Sequence, residues 1–321
     1  MGRCGMSHRR IADQHKQLRM CLALAVLCAP HLALAQFTGA HNYDNSPIGV
    51  NQVELDYAFA HSNASIDTSL IVAGASLNLN RGNISYTRYF GFLHRLTWVE
   101  ASVPLAGLGG SVNGTNIHGS ATGVGDSSYT VSMLLKGGPA RSVAQFENYR
   151  PTTTVGLSLG ITAPTGEYDP NKVLNLGTDR WSFKPEIGVS HPFGTEQKWQ
   201  GDLYLQANFF TDNTSYRGKE ILRQEPLPGV EGHLSYFFVH NAWVSVDGLY
   251  AFRGATDVNG VPQNNSQKNF LLGSQVNLSI NDRNTLAVEF AKAVLHENGT
   301  AYTGFAVKYS FSWGGGPGKV R

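Results

Sequence analysis

Along most of this chain apolar and polar residues alternate with a period of two. Thr303 to Trp313 is the plainest case: Phe305, Val307, Tyr309, Phe311 and Trp313 fall on one side, and Gly304, Ala306, Lys308, Ser310 and Ser312 on the other. Successive strand side chains point to opposite faces, so this pattern predicts a strand with one wholly apolar, aromatic face. The same alternation recurs upstream. Val53, Leu55, Tyr57 and Phe59 alternate with Glu54, Asp56 and Ala58; Val155, Leu157, Leu159 and Ile161 with Gly156, Ser158 and Gly160; Leu203, Leu205 and Phe209 with Asp202, Tyr204 and Asn208. Helical spacing of apolar residues is almost absent. Counting every such run predicts about twelve strands of roughly ten residues each. Ten or fourteen also fit, because Leu70-Ile71-Val72 and Leu77-Asn78-Leu79 either extend the second strand or form an extra hairpin.

The polar faces decide where the apolar faces point. A soluble sandwich shows water a face rich in Lys, Glu and Asp. Here that face is mostly Ser, Thr, Gly, Asn and Gln, with sparse charges of both signs. The apolar face is therefore assigned to lipid, and the predicted fold is all-β: a transmembrane antiparallel β-barrel. The links agree. Gly91 to Arg95, Pro192 to Lys198, His240-Asn241 and Asn281 to Asn284 are short. They alternate with long links rich in Gly, Asn and Thr, such as Ser62 to Gly82, Ala106 to Gly123, Pro164 to Asp179, Thr211 to Gly229 and Gly254 to Lys268. Short periplasmic turns and longer external loops are the asymmetry of an outer-membrane barrel. Gly137 to Thr152 is long for a periplasmic turn, and His296 to Tyr302 is short for an outer loop. Ser62–Gly82 and Ala106–Gly123 are expected to narrow the outer mouth.

Residues 1–35 read as a cleaved signal peptide: Arg3, Arg9, Arg10, Lys16 and Arg19, then the apolar run Met20 to Pro30, then Ala33-Leu34-Ala35 ahead of Gln36. Residues 36–321 form the barrel, with 36–50 as a periplasmic lead-in and 314–321 as a periplasmic tail. All three cysteines, Cys4, Cys21 and Cys28, lie in the leader. The remaining chain therefore excludes disulfides and thiolate metal sites. Of 25 Lys/Arg and 23 Asp/Glu, five and one lie in residues 1–35, leaving 20 and 22, a formal charge of −2. No basic patch calls for nucleic acid.

Three short motifs carry a resemblance. Gly123-Val124-Gly125-Asp126 opens a strand; Ile161-Thr162-Ala163-Pro164-Thr165-Gly166-Glu167-Tyr168 ends one; Gly177-Thr178-Asp179-Arg180-Trp181-Ser182-Phe183 leads to Gly188-Val189-Ser190-His191. In this order they resemble the outer-membrane transporter family named for the meta-cleavage pathway of phenol degradation. The resemblance spans most of the chain after the leader. It implies an outer-membrane barrel that passes small, often aromatic, molecules. It marks strand starts and loop rims, not a catalytic site. Gly125-Asp126 and Pro164-Thr165-Gly166 also have plain structural roles as strand entrance and turn.

Continued inward, the polar faces present Glu54, Asp56, Glu100, Asp126, Arg180, Lys184, Glu186, Asp202, Glu231, His233, Asp247, Arg253, Glu289 and Lys308 as pore-lining candidates. Lining charges of both signs either pair across the lumen and close it or choose its permeant. Their mixture argues against strong ion selectivity, and twelve strands leave a narrow interior. Tyr57, Phe59, Trp181, Phe183, Tyr236, Phe238, Tyr309, Phe311 and Trp313 are the lipid-facing girdle candidates. A barrel lipid hydrolase would need His and Ser on the lipid side, whereas His233 and Ser235 share the face opposite Leu234 and Tyr236. The eleven scattered His show no metal-ligand spacing, and no cofactor motif appears. The expected function is a channel for small, aromatic or hydrophobic solutes by passive diffusion; the alternative is a plugged barrel with a structural, adhesive or sensory role. The expected partners are outer-membrane lipid, the barrel assembly machinery and the solute.

Overall fold

A computed structural model describes residues 37–63, 75–112, 116, 118–172, 174–239 and 241–315. The leader, Leu70-Ile71-Val72, Asn113-Gly114-Thr115, His240 and most of the tail lie outside the described residues. In chain order the strands are β1 (Val50–Ser62), β2 (Ala75–Phe92), β3 (Arg95–Val112), β4 (His118–Val124) and β5 (Ser127–Lys136). A short helix α1 (Val143–Phe146) precedes β6 (Thr154–Ala163), β7 (Ser182–Phe193), β8 (Trp199–Phe210), β9 (Asn213–Tyr216) and β10 (Glu220–Gln224). Then come β11 (Leu227–Val239), β12 (Ala242–Arg253), β13 (Thr256–Val258), β14 (Val261–Pro262), β15 (Gln267–Ser279), β16 (Asn284–Glu297) and β17 (Tyr302–Gly314).

Twelve strands close one antiparallel ring, in the order β2-β1-β17-β16-β15-β12-β11-β8-β7-β6-β5-β3, with β2 pairing β3. Closure has a physical cause. Inside lipid every backbone N–H and C=O must find a protein partner, and only a ring leaves no edge. β1 joins first strand to last with Tyr57 opposite Val307 and Asp56 opposite Lys308, which keeps the lipid face and the lumen face continuous across the seam. Leu55, Ile84, Val103, Leu157, Leu203 and Val246 are exposed on the outside, Val246 at 63 %. Large apolar side chains turned outward around a closed ring form the band that meets acyl chains. Aromatic residues flank it. Trp199 stacks between Phe193 and Tyr236, and Phe311 on Trp313, at the short-turn end. Tyr250 stacks on Phe252 at the other.

Several links differ from expectation. Leu77-Asn78-Leu79 extend β2, and much of Ala106–Gly123 is strand, so β2, β3 and β4 rise together beyond the ring as a wall. The β6–β7 loop folds against this wall, its Leu174 and Leu176 packing on Leu77, Ala106 and Leu108; residues 64–74 of the Ser62–Gly82 link expected to narrow the outer mouth lie outside the described residues. β9, β10, β13 and β14 pair as a small separate sheet within the outer loops. The long link after β5 holds α1, capped by Ser142 and buried at Val143.

Candidate functional site: an occupied lumen and the passage beside it

Contrary to the expectation of a periplasmic lead-in, residues 37–49 turn back into the barrel. The root is fixed where Ile48 donates its N–H to Arg141 O (2.8 Å) and Gly49 to Tyr89 O (2.9 Å). From there the segment climbs the inner face of β6, β7, β8 and β11. Tyr43 is wholly buried. Its hydroxyl donates to Glu186 Oε1 (2.9 Å), and its carbonyl accepts from Thr154 Oγ1 (2.7 Å). His41 donates its N–H to Asp202 Oδ2 (3.3 Å), and its ring lies 4.4 Å from that of Trp243. Higher still, Thr38 and Gly39 donate their N–H groups to the two oxygens of Glu231 (3.0 Å each), and Thr38 Oγ1 donates to Glu186 Oε2 (2.6 Å). Phe37 packs against the apolar ledge of Leu271 and Ala291. Above its root, the N–H groups of Thr38, Gly39 and His41 are thus held by buried carboxylates of the wall, acceptors stronger than neutral carbonyls, and that of Asn42 by the Tyr204 hydroxyl (3.3 Å).

The inward charges form two groups. Lys184, Glu186, Asp202, Glu231, His233 and Asp247 lie on the side the plug occupies. Lys184 Nζ is 3.7 Å from Glu186 and donates to Thr38 Oγ1 (3.1 Å). His233 sits between two carboxylates, Nδ1 at 2.7 Å from Asp247 and Nε2 at 2.9 Å from Glu231. Both contacts are hydrogen bonds only when both ring nitrogens carry protons. Ser235 shares this inward face, but both ring nitrogens face carboxylates, and among the described residues no hydroxyl is hydrogen-bonded to the ring.

Glu54, Asp56, Glu100, Glu289 and Lys308 lie on the opposite wall, where β16, β17, β1, β2 and β3 border a cavity of about 640 Å³. Arg81 joins them there, 3.2 Å from Asp56, and Lys308 is 2.7 Å from Glu289. Glu54 accepts from Ser310 Oγ (2.7 Å) and Glu100 from Thr87 Oγ1 (3.3 Å). Among the described residues neither has a cation within salt-bridge distance. This inner cavity reaches Gln52 and Ser312 near the short-turn end. It shares Arg81, Asn83, Ser102 and Ser128 with an outer cavity of about 390 Å³ under the loops. The plug thus leans on one half of the wall and leaves a polar-lined crescent along the other.

Of the sequence-expected lining residues, Arg180 and Arg253 have other places and Asp126 is engaged by a loop. Asp126 borders the outer cavity, but its carboxylate is occupied by the N–H of Gly166 (2.8 Å) and by the N–H and hydroxyl of Thr178 (2.9 and 2.7 Å). The motif residues of the resemblance are therefore a clasp that holds the β6–β7 loop. Arg180 precedes β7 and is buried at the rim, 4.1 Å over the Phe210 ring and donating to Gln224 (2.8 Å). Arg253 is exposed where β12 ends, in a left-handed conformation (φ 71°), and lines neither cavity. Of the girdle candidates, Tyr57, Trp181, Phe183, Tyr309, Phe311 and Trp313 are exposed, while Phe59, Tyr236 and Phe238 are half-buried, Tyr236 against Trp199. Trp181 stands just before β7 instead of within a strand.

Sequence reasoning missed the plug. The only local trace is His41-Asn42-Tyr43-Asp44-Asn45, a polar and aromatic stretch too rich in partners for a plain linker.

Comparison with known proteins bears on the fold. The chain is similar over 86 % of its length to the whole of an outer-membrane channel from Pseudomonas putida F1, with a TM-score of 0.73 at 18 % identity. Over 83 % of its length it is similar to 99 % of the beta domain of the Bordetella autotransporter BrkA, with a TM-score of 0.49 at 7 % identity. No curated protein matches it in sequence. The closed ring and its lipid-facing apolar band place the protein in the outer membrane. The family model described as "Putative MetA-pathway of phenol degradation" matches residues 42–309, which takes in the lower part of the plug with Tyr43, and the chain belongs to that family.

Proposed function

We propose that the protein is an outer-membrane channel through which small aromatic or hydrophobic solutes diffuse passively, its width set by the plug. The observation that carries this reading is the pair of cavities that meet at Arg81, Asn83, Ser102 and Ser128 and run beside the plug. A barrel with only a structural role gains nothing from an open crescent lined with charge. The interior polar groups would then pack against each other, since unfilled polar space costs hydrogen bonds. The plug itself favours a second reading, a sealed barrel with a structural, adhesive or sensory role. Planar bilayers separate the two. Small conductance steps are expected from the protein with its plug, and larger ones after deletion of residues 37–44. Bilayers that stay silent with both forms would overturn the channel reading.

A further inference from the structure

The side chain of Tyr43 occupies a slot that is more specific than plug anchoring requires. Its ring meets Trp98 and Tyr204 edge-on, at centroid distances of 6.1 and 5.1 Å. Such edge-to-face contacts are the favoured aromatic geometry. Its floor is made by Gly156 and Gly188, paired with each other across β6 and β7. A Cβ on either would overlap the Tyr43 ring, so the gap in the wall has the size of one aromatic ring. The next inward pair along the same ladder, Ser158 and Glu186, supplies the polar end. Ser158 Oγ lies 3.0 Å and Glu186 Oε1 2.9 Å from the phenolic oxygen.

The occupant belongs to a segment outside the ring, held in place by hydrogen bonds and side-chain packing, and the slot's Trp98 wall also lines the inner cavity. Of the ways to fill such a slot, a ring without a hydroxyl would leave the buried Glu186 oxygen and Ser158 without their partner. A ring bearing a carboxylate would set two negative charges against each other. A neutral ring with one hydroxyl satisfies walls, floor and acceptors together.

We propose that this slot is a binding site for a phenolic ring, and that Tyr43 fills it as a tethered substitute which an entering solute displaces. The proposal rests on the channel reading for its biological use, but its chemistry is tested apart from conductance. Tyr43→Ala empties the slot, and p-cresol is the tyrosine side chain cut free. Calorimetric titration of the detergent-solubilised full barrel, its folding checked by heat-modifiable gel mobility, is expected to show one saturable p-cresol site. Affinity should exceed that for toluene by about tenfold or more, the value of one hydrogen bond to a buried charge. Benzoate should not bind. Adding Gly156→Ala to Tyr43→Ala places a methyl where the ring lay and should abolish binding. Should Tyr43→Ala fail to fold, Tyr43→Phe replaces it: its ring lacks the hydroxyl, so p-cresol should bind this variant about tenfold more tightly than the unaltered protein. Equal affinities for p-cresol and toluene, or p-cresol binding that survives the added methyl, would overturn the proposal. So would equal p-cresol affinity in Tyr43→Phe and the unaltered protein. Binding without conductance would keep the slot and remove the channel; conductance without p-cresol binding would do the reverse.

Discussion

The hold of Glu231 on the plug can be loosened by a one-atom change. Its two oxygens each accept a backbone N–H, from Thr38 and from Gly39, both at 3.0 Å. In Glu231→Gln one oxygen becomes an NH2 group, which faces a donor and cannot accept. One bond is lost and the other loses its charge. Hydrogen bonds to charged groups contribute about 1.5–3 kcal/mol, so plug docking should weaken by about 2–4 kcal/mol. At about 1.4 kcal/mol per decade this raises the population of undocked plug roughly 30- to 1,000-fold. The three cysteines all lie within residues 1–35, so in protein produced from residue 36 onward Ala40→Cys carries the only thiol. Ala40 borders the inner cavity, and its labelling by a bulky maleimide reports undocking. Labelling is expected to accelerate by that factor when Glu231→Gln is added, with heat-modifiable mobility unchanged. Labelling within about twofold of the Ala40→Cys parent would show that these two bonds do not hold the segment.

Three further outcomes follow from the same geometry. Asp126→Asn should remove charge and one acceptor from the loop clasp, about 2–3 kcal/mol, and speed amide exchange at Gly166 and Thr178 roughly 30- to 150-fold; unchanged protection there would show that the clasp holds nothing. The crescent retains Glu54 and Glu100 after Arg81 pairs with Asp56 and Lys308 with Glu289. Reversal potentials across a salt gradient should therefore show cation preference, which falls toward none in Glu54→Gln/Glu100→Gln; a preference for anions would refute this count. Val246→Arg, on the outer face near the middle of β12, should cost about 2–4 kcal/mol in denaturant titrations of folding into lipid vesicles; a change below about 0.5 kcal/mol would mean that this position meets water.

The ring itself was legible because its signal is local. Alternation in β1, β8 and β17 states which residue faces lipid without reference to any partner strand, and Pro, Gly and Asn between runs mark the turns. The wall strands were misjudged where alternation weakens. Leu105 to Ser111 is rich in Gly and small residues, and β3 continues there only because β2 and β4 pair with it on both sides. Continuing the alternation inward puts both Asp126 and Arg180 on the lining; Asp126 does border the outer cavity, but its engagement by the loop and the seat of Arg180 at the rim have no local signal. Their partners Thr178 and Gln224 lie 52 and 44 residues away, and proximity of that kind has no period to betray it.

By itself the sequence determined the class of molecule: an exported chain whose strands turn one greasy side outward, because side-chain direction in a strand is fixed residue by residue. Only the tertiary structure decided what fills the interior. Tyr43 meets Glu186 and Ser158 across 143 and 115 residues of chain, and Thr38 meets Glu231 across 193. Those contacts exist because ring closure brings β6, β7, β8 and β11 around one axis. A polar segment beside that axis meets there the buried carboxylates that accept its N–H groups.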